Sequence, residues 1–420
     1  MKCRNCKKKK LKKIVKIGSQ PLSGVFYQSK RYNLKKYSLD LYQCQICKLA
    51  QLSKTPESKK MFGDTYEYRT SLSNLMVDHI KKKIKYLEKN NYLKKNSCIL
   101  DIGSNDGTFL NNFDKSHELF GVDPSAKKFK KLYNKKIKII DNFFSKKNIL
   151  NFTKEEIQFD LISSFAMFYD VDDPNSFCED VYKLLKKDGV WILELSYLPL
   201  MLKNLTYDQV CHEHVTYYTL TVFKNIIEKN NLKIVDVSLN EINGGSIEII
   251  CCKKQSKFKV NKKKINRYLT DEKKITERSY KKFNNRINKI KSLIRMFIEL
   301  NSNKRIIGYG ASTKGNIILN HCEVKNTEVK EICDGSKKKY SRYTPGSNIR
   351  IISKQKMRKK NPDYLLVLIW SFRKEVIKQE INFLKKGGKL VFHLPRFHIV
   401  SIDNFHSYLK KDFGNLSYDY

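Results

Sequence analysis

The segment Cys211-His212-Glu213-His214 places two imidazoles and one carboxylate within four residues. Histidine is the side chain whose ordinary pKa lies nearest neutrality, so such a cluster can remove and relay protons at cellular pH. Proton abstraction is therefore the leading chemistry predicted for this segment. The alternative is a pair of structural histidines whose ring nitrogens are satisfied by hydrogen bonds.

A strand that runs into a glycine-bearing turn lies upstream, at residues 100–107. Glycine lets the backbone approach a ligand closely, and cofactors bind at the carboxyl ends of strands in open α/β sheets. The spacing is not that of a dinucleotide fingerprint, and carboxylates suit the cationic amino-acid end of S-adenosylmethionine (SAM) better than a pyrophosphate. Asp123 follows the next strand, and its carboxylate can accept hydrogen bonds from ribose hydroxyls. The predicted cofactor residues are Asp101, Gly103, Ser104, Asn105, Asp106, Gly107, Asp123, Asn142 and Phe143.

Four cysteines near the start of the chain form two C-x-x-C pairs, Cys3 with Cys6 and Cys44 with Cys47. Two pairs of thiolates on tight turns are what a tetrahedral zinc requires. Because all four ligands are thiolates, no position stays open for water, and the metal is expected to serve folding. The sequence predicts one structural zinc.

The positions of apolar residues divide the chain into four parts. Residues 1–65 are expected to form the zinc-binding domain, and residues 66–256 alternate strands and helices as in a parallel sheet. Residues 257–300 carry helical spacing and are expected to form a connector. Residues 301–420 form a second strand-and-helix unit. The predicted fold class is α/β, with a small zinc-binding domain, a doubly wound methyltransferase domain and a Rossmann-like C-terminal domain.

The second α/β unit opens with a glycine-bearing loop over residues 308–315. Its glycine spacing is irregular, which favours a surface for the phosphates of a nucleotide substrate, with Lys314 nearby, over a pyridine-nucleotide site. Simple packing between domains remains an alternative. Gly310 and Lys314 are accordingly predicted to contact substrate, as are Asn243 and Gly244 of the Asn-Gly-Gly turn.

The net charge of +42 arises from 84 Lys and Arg against 42 Asp and Glu in 420 residues. This excess is spread along the chain, which favours a solvated lysine-rich surface over a nucleic-acid site. The first residues lack the apolar stretch of a signal peptide, and no apolar run reaches the ~18 residues that a membrane span needs. A cytoplasmic protein with no nucleic-acid and no membrane partner is expected; the sequence predicts no oligomeric state.

Over nearly its whole length the chain resembles the SAM-dependent sugar C-methyltransferases that act on nucleotide-linked 4-keto-6-deoxysugars. The resemblance rests on the two cysteine pairs and on Pro21-Leu22-Ser23-Gly24, Tyr66-Glu67-Tyr68-Arg69-Thr70-Ser71, residues 101–107, His212-Glu213-His214, Asn243-Gly244-Gly245-Ser246 and residues 308–315.

The resemblance implies that His214 acts as base, assisted by Glu213 and nearby tyrosines, with the nucleotide-sugar lying between the middle and C-terminal domains. Some members carry tyrosine where this chain has Cys211, so Tyr66, Tyr68 or His212 would have to polarise the ketone. The expected reaction adds a methyl group to a carbon next to the ketone, where an adjacent carbonyl stabilises a carbanion as an enolate. Two alternatives are a zinc-ribbon RNA methyltransferase and an O- or N-methyltransferase on the same sugars.

Overall fold

A computed structural model describes residues 1–57, 61–62, 68–412 and 416–420 of the chain. Its strands are β1 (Leu11–Val15), β2 (Ser19–Pro21), β3 (Lys36–Ser38), β4 (Leu41–Cys44), β5 (Ala50–Leu52), β6 (Cys98–Ile102), β7 (Glu118–Val122), β8 (Lys138–Ile140), β9 (Phe159–Phe165), β10 (Leu185–Ser196), β11 (Thr216–Tyr217), β12 (Leu232–Asn240), β13 (Ser246–Lys253), β14 (Ile306–Tyr309), β15 (Glu331–Asp334), β16 (Arg350–Ser353), β17 (Tyr364–Val367), β18 (Lys389–Phe392) and β19 (His398–Val400).

The helices of the described residues connect these strands and cover the sheets. They are α1 (Asn74–Lys89), α2 (Ala126–Phe129), α3 (Lys146–Thr153), α4 (Pro174–Leu184), α5 (Leu198–Asn204), α6 (Leu220–Lys229), α7 (Lys262–Glu272), α8 (Glu277–Leu300), α9 (Thr313–His321), α10 (Lys354–Lys359), α11 (Arg373–Gln379), α12 (Ile381–Lys385) and α13 (Phe405–Lys410).

The central sheet has the strand order β12-β13-β10-β9-β6-β7-β8. The pairs from β10 to β8 are parallel, whereas β13 runs antiparallel to both of its neighbours. Strand β6 is buried at every position and β9 at most positions, as expected for a sheet covered on both faces. The predicted doubly wound domain is confirmed. Strand β13 runs opposite to the others, and strand β12 was not predicted.

The first sheet takes its last strand from another part of the chain. Its order is β1-β4-β5-β11, and β11 pairs antiparallel with β5 through Thr216↔Gln51 and Tyr217↔Ala50. A domain of residues 1–65 alone therefore does not account for this sheet. The segment that carries the three predicted catalytic residues, 212–214, leads directly into its edge strand.

The C-terminal sheet has the order β16-β15-β14-β17-β18-β19, parallel except for the last pair. This arrangement confirms a second Rossmann-like unit. The predicted connector is two helices, α7 and α8, separated by a break at residues 273–276. The glycine turn at residues 103–107 is followed by a single 3-10 turn, Leu110–Asn112.

Candidate active site

A cavity of about 330 Å3 opens at the carboxyl ends of β6, β7, β9 and β10, where open α/β sheets bind cofactors. Helix α1 covers it with Met76, His79 and Ile80. Among the predicted cofactor residues, those that line this cavity are Asp101, Gly103, Ser104, Asn105, Asp123 and Phe143.

Two buried carboxylates belong to the lining. Asp101 Oδ1 accepts a hydrogen bond from Ser163 Oγ at 2.7 Å, and burial raises the pKa of Asp101 to about 7. Asp123 Oδ2 accepts the backbone N–H of Asn105 at 2.9 Å, and burial raises its pKa as well. A cationic ligand favours the ionised form of such carboxyls. The lining therefore fits the amino-acid and ribose parts of SAM.

Three further predicted cofactor residues do not line the cavity and make local contacts in the loops beside it. Asp106 Oδ2 accepts the backbone N–H of Ser71 at 3.0 Å, which holds residues 69–71 over the turn. Gly107 has a φ of +76°, and a Cβ there would lie 2.7 Å from the ring of Tyr133. Asn142 Oδ1 accepts the backbone N–H of Phe143 at 2.9 Å. Direct contact of these three with the cofactor stays a prediction.

Tyr68 lines the same cavity with a half-exposed side chain. Its carbonyl oxygen accepts a hydrogen bond from Asn105 Nδ2 at 3.1 Å, which ties this segment to the cofactor loop. Tyr66, the other tyrosine predicted to assist catalysis, lies outside the described residues. The catalytic role of both tyrosines stays a prediction.

A polar pair that was not predicted from the sequence also lines the cavity. His79 Nε2 lies 2.7 Å from Glu194 Oε2, and Asn240 Nδ2 donates to the same oxygen at 2.7 Å. Glu194 is the one charged residue of the buried run Val190–Ser196 on β10. A charge within this otherwise uncharged run was the sequence feature that could have marked it as a site residue.

Residues 212–214 are held in place by hydrogen bonds of the two residues that follow them, Val215 and Thr216. The Val215 N–H donates to the carbonyl of Tyr169 at 2.9 Å, and Thr216 Oγ1 donates to the same oxygen at 3.1 Å. The Leu52 N–H donates to the carbonyl of Val215 at 3.0 Å. The segment is thus held between the end of β9 and the first sheet.

His214 is buried beside the wall of the cavity. Its ring centroid lies 4.1 Å from that of Tyr169, and the next residue, Asp170, lines the cavity. Burial and the nearby charge of Lys314 lower the pKa of His214 to about 3, so its imidazole is neutral at physiological pH. Its Nδ1 is buried and has no hydrogen-bond partner within the described ranges. A neutral ring with a free nitrogen can accept a proton.

Two carboxyl groups stand near this imidazole. Glu213 Oε2 and Asp170 Oδ1 are both buried and, across the described part of the chain, lack a hydrogen bond. Burial raises the pKa of each carboxyl, and the charge of Glu213 raises that of Asp170 further. Asp170 was not predicted from the sequence, because its place beside the cavity follows from the order of strands in the sheet.

His212 faces the first domain. Its Nε2 lies 3.4 Å from the carbonyl oxygen of Tyr37, and its ring meets the Tyr37 ring edge-on at 5.9 Å. Burial lowers the pKa of His212 to about 4. The structure therefore separates the two imidazoles: His214 packs on Tyr169, whose neighbour Asp170 lines the cavity, whereas His212 contacts Tyr37 of the zinc-binding domain.

The start of helix α9 reaches the same place from the C-terminal domain. A Cβ at Gly24 would lie 2.7 Å from Glu213 Oε1 and 3.5 Å from Thr313 Oγ1, so these two oxygens face one point. Lys314 follows Thr313, and its charge acts on Asp208, Cys211 and His214. Gly310 has a φ of +91° and abuts Ile369, so its immediate role is a close approach between loops.

The Asn-Gly-Gly turn at residues 243–245 packs against Trp370 and the segment that contains Asp208 and Gln209. A Cβ at Gly244 would lie 2.6 Å from the Trp370 ring, and Trp370 Nε1 donates to Asp208 Oδ2 at 2.8 Å. The Asn243 carbonyl accepts a hydrogen bond from Gln209 Nε2 at 2.9 Å. Substrate contact by Asn243, Gly244 and Gly310 stays a prediction.

The four predicted metal ligands converge at one point. The Sγ atoms of Cys3, Cys6, Cys44 and Cys47 all lie within 4.8 Å of one another. Each pair sits on the same type of turn, in which the residue after the second cysteine has a positive φ and donates its N–H to the carbonyl of the first. Four thiolates in this geometry fit a structural zinc.

Three family models match consecutive parts of the chain. They are described as "Putative zinc binding domain" for residues 3–62, "Methyltransferase domain" for residues 73–237 and "C-methyltransferase C-terminal domain" for residues 241–395. The C-methyltransferase NovU of Streptomyces niveus is 26% identical over 410 residues, covering 96% of this chain and 97% of NovU.

Solved structures resemble part of the chain. The plantazolicin methyltransferase BpumL in complex with SAH has a TM-score of 0.34 and 14% identity, covering 41% of this chain and 82% of BpumL. BpumL with a triazolic desmethylPZN analogue and SAH has a TM-score of 0.34 and 15% identity, covering 42% of this chain and 83% of BpumL.

The cavity, the four-cysteine cluster and the order of the matched domains define a SAM-dependent methyltransferase that carries a zinc-binding domain. The chain thus carries these three domains in one order, and it is similar to the C-methyltransferase NovU over nearly its whole length. Within the described residues, no helix has both the length and the apolar character to cross a membrane.

Proposed function

We propose that the enzyme transfers the methyl group of SAM to the carbon next to the ketone of a nucleotide-linked 4-keto-6-deoxysugar. The observation that carries this proposal is the buried, neutral imidazole of His214 beside the methyl-donor cavity, with a ring nitrogen that has no partner among the described residues. A C-methyltransferase needs a base at this place, because carbon becomes nucleophilic only after it loses a proton.

The neutral ring of His214 takes the proton from the carbon next to the ketone. The bound cofactor supplies an electrophilic methyl group. Glu213 and Asp170 offer carboxyl oxygens that can orient sugar hydroxyls or the imidazole, since each has a buried oxygen without a hydrogen bond in the described part of the chain. Closure of the site by three parts of the chain excludes water and aligns the reactants.

A nucleotide-sugar substrate is supported by the resemblance of the motifs and by the position of the C-terminal loop. Lys314 brings a positive charge to the site, and Asn243, Gly244 and Gly310 belong to the loops around it. We assign these four to substrate binding. We keep His212, Tyr66 and Tyr68 as candidates that assist the reaction.

The direct test is incubation with isotopically labelled SAM and a panel of thymidine-, uridine-, guanosine- and cytidine-diphosphate-linked 4-keto-6-deoxyglucose, read by mass spectrometry. We expect label in at least one sugar. A panel without a labelled product contradicts the proposed substrate class.

The nature of the new bond is tested by NMR of that product. A carbon-bound methyl couples to the sugar skeleton and resonates apart from an O- or N-methyl group. An O- or N-methyl signal would contradict carbon methylation while leaving SAM-dependent transfer to a sugar intact.

A further inference from the structure

Lys314 is a half-buried cation. Its ammonium has neither a hydrogen bond nor an ion pair with any residue that the structure describes, and desolvation by the surrounding protein lowers its pKa. The strongest attraction on it comes from the carboxylate of Asp208. Asp208 is itself held through Oδ2 by Trp370, and its Oδ1 is buried without a hydrogen bond in the described ranges. The Lys314 ammonium and the buried Oδ1 of Asp208 therefore both have hydrogen-bonding capacity left for a polar ligand group.

The helix that carries Lys314 packs on the first domain and, through the rings of His321 and Tyr207 at 5.3 Å, on the segment that leads to Asp208. Asn316 Nδ2 donates to the carbonyl of Ser23 at 2.7 Å, and Gln20 Nε2 donates to the carbonyl of Ile317 at 3.2 Å. Ser312 Oγ accepts the Gly315 N–H at 2.9 Å and caps the helix. The ammonium is therefore placed on a rigid element that faces residues 208–214.

Other donors are poorly suited to stabilise the oxygen of the ketone. Cys211 is buried, burial raises its pKa, and a neutral thiol is a weak donor. His212 is directed towards the Tyr37 carbonyl of the first domain. Lys314 is the cation whose charge acts on both Cys211 and His214.

We propose that Lys314 is a catalytic residue that hydrogen-bonds the ketone oxygen and stabilises the negative charge that develops on it, rather than a ligand of the nucleotide phosphates. This inference rests on the proposed function. His214 removes the proton from the neighbouring carbon, and the electron pair of that C–H bond forms the enolate. Lys314 keeps its proton and donates a hydrogen bond to the enolate oxygen. The enolate carbon then takes the methyl group, the electrons of the broken carbon–sulfur bond stay on sulfur, and the ketone reforms.

Exchange of the sugar proton with solvent isolates this step from methyl transfer. The wild type, Lys314→Met, Lys314→Arg and the exposed control Lys304→Met are incubated in D2O with S-adenosylhomocysteine and each member of the diphosphosugar panel. Exchange next to the ketone is followed by NMR. Titrations with TDP, UDP, GDP and CDP give the Kd for the phosphate-bearing part, and S-adenosylhomocysteine binding reports folding.

We expect Lys314→Met to slow exchange about 10²- to 10³-fold, the loss typical of removing one donor to a developing oxyanion, with nucleoside-diphosphate affinity unchanged. Lys314→Arg should retain part of the rate, and Lys304→Met all of it. Unchanged exchange with weakened diphosphate binding in Lys314→Met would overturn the inference and make Lys314 a phosphate ligand. Absence of exchange in the wild type with every sugar would instead contradict the proposed function, and this inference with it.

Discussion

His214 is neutral because protein surrounds it and a lysine charge lies nearby, and both effects disfavour the imidazolium form. With its pKa lowered to about 3, the ring should stay uncharged as pH falls from neutrality through 5. We expect NMR of 15N-histidine-labelled protein, with the resonances of this ring assigned by comparison with His214→Asn, to show no titration in that range. A midpoint near the ordinary value of about 6.5 would contradict the description of the site.

Glycine at position 24 leaves room for Glu213. A methyl group there would lie 2.7 Å from Glu213 Oε1, the end of a flexible side chain, so Gly24→Ala should displace the carboxylate without much loss of stability. We expect kcat to fall by about tenfold or more, the minimum for a misplaced assisting group, with an unchanged melting temperature.

Gly335→Ala is the matched control for that substitution, because a Cβ at Gly335 meets nothing within 4 Å. Equal kcat values for Gly24→Ala and the wild type would show that the position of Glu213 does not matter to turnover.

At this scale the sequence predicted the residues whose signal is local. The cysteine pairs are recognised by their spacing, and Asp101 and His214 stand in short motifs that make them candidates. Asp170 and Glu194 could not be recognised, because their positions at the cavity depend on the order of strands in the sheet. Burial, which sets the protonation state of His214, is also a property of the fold.

Strand β11 joins the predicted catalytic segment to the zinc-binding domain. The zinc ligands Cys44 and Cys47 stand on the turn between β4 and β5, and β5 pairs with β11 immediately after His214. Small zinc-binding domains depend on the metal for folding. A zinc ion that fixes this turn therefore also fixes strand β5, on which β11 and the preceding residues 212–214 rest.

We therefore expect removal of zinc by a chelator, or Cys44→Ser, to abolish methyl transfer while the separate donor cavity still binds S-adenosylhomocysteine. Calorimetric titration of the metal-free protein gives the binding, and the labelled-methyl assay gives the activity. Metal-free protein with full activity would contradict a positioning role for this domain.

Element types were predicted better than element pairings. Apolar spacing predicted the alternation of strands and helices over residues 66–256, because burial leaves a periodic signal. The two residues of β11 carry no such signal. The reversed strand β13 was also unforeseen, since a buried strand reads as an apolar run in either direction.

Helix α8 links the domains through a shared core. Its buried residues pack in one cluster with Ile14 and Leu41 of the first sheet and with Ile306 of the last. Ile294 is fully buried there, so Ile294→Ala should lower the free energy of unfolding by about 2–5 kcal/mol.

Denaturant unfolding gives this difference, and Met296→Ala on the same helix is the control, because Met296 is 52% exposed. Similar losses from both substitutions would argue that α8 does not carry the interdomain core.

We propose that a ring nitrogen of His214 removes a proton from the carbon that receives the methyl group. The most direct measurement is deuterium uptake at that carbon by His214→Asn in D2O, with the sugar that the panel identifies and S-adenosylhomocysteine bound. We predict uptake in the wild type and none in His214→Asn, with equal S-adenosylhomocysteine affinity in both. Uptake by His214→Asn at the wild-type rate would contradict the account.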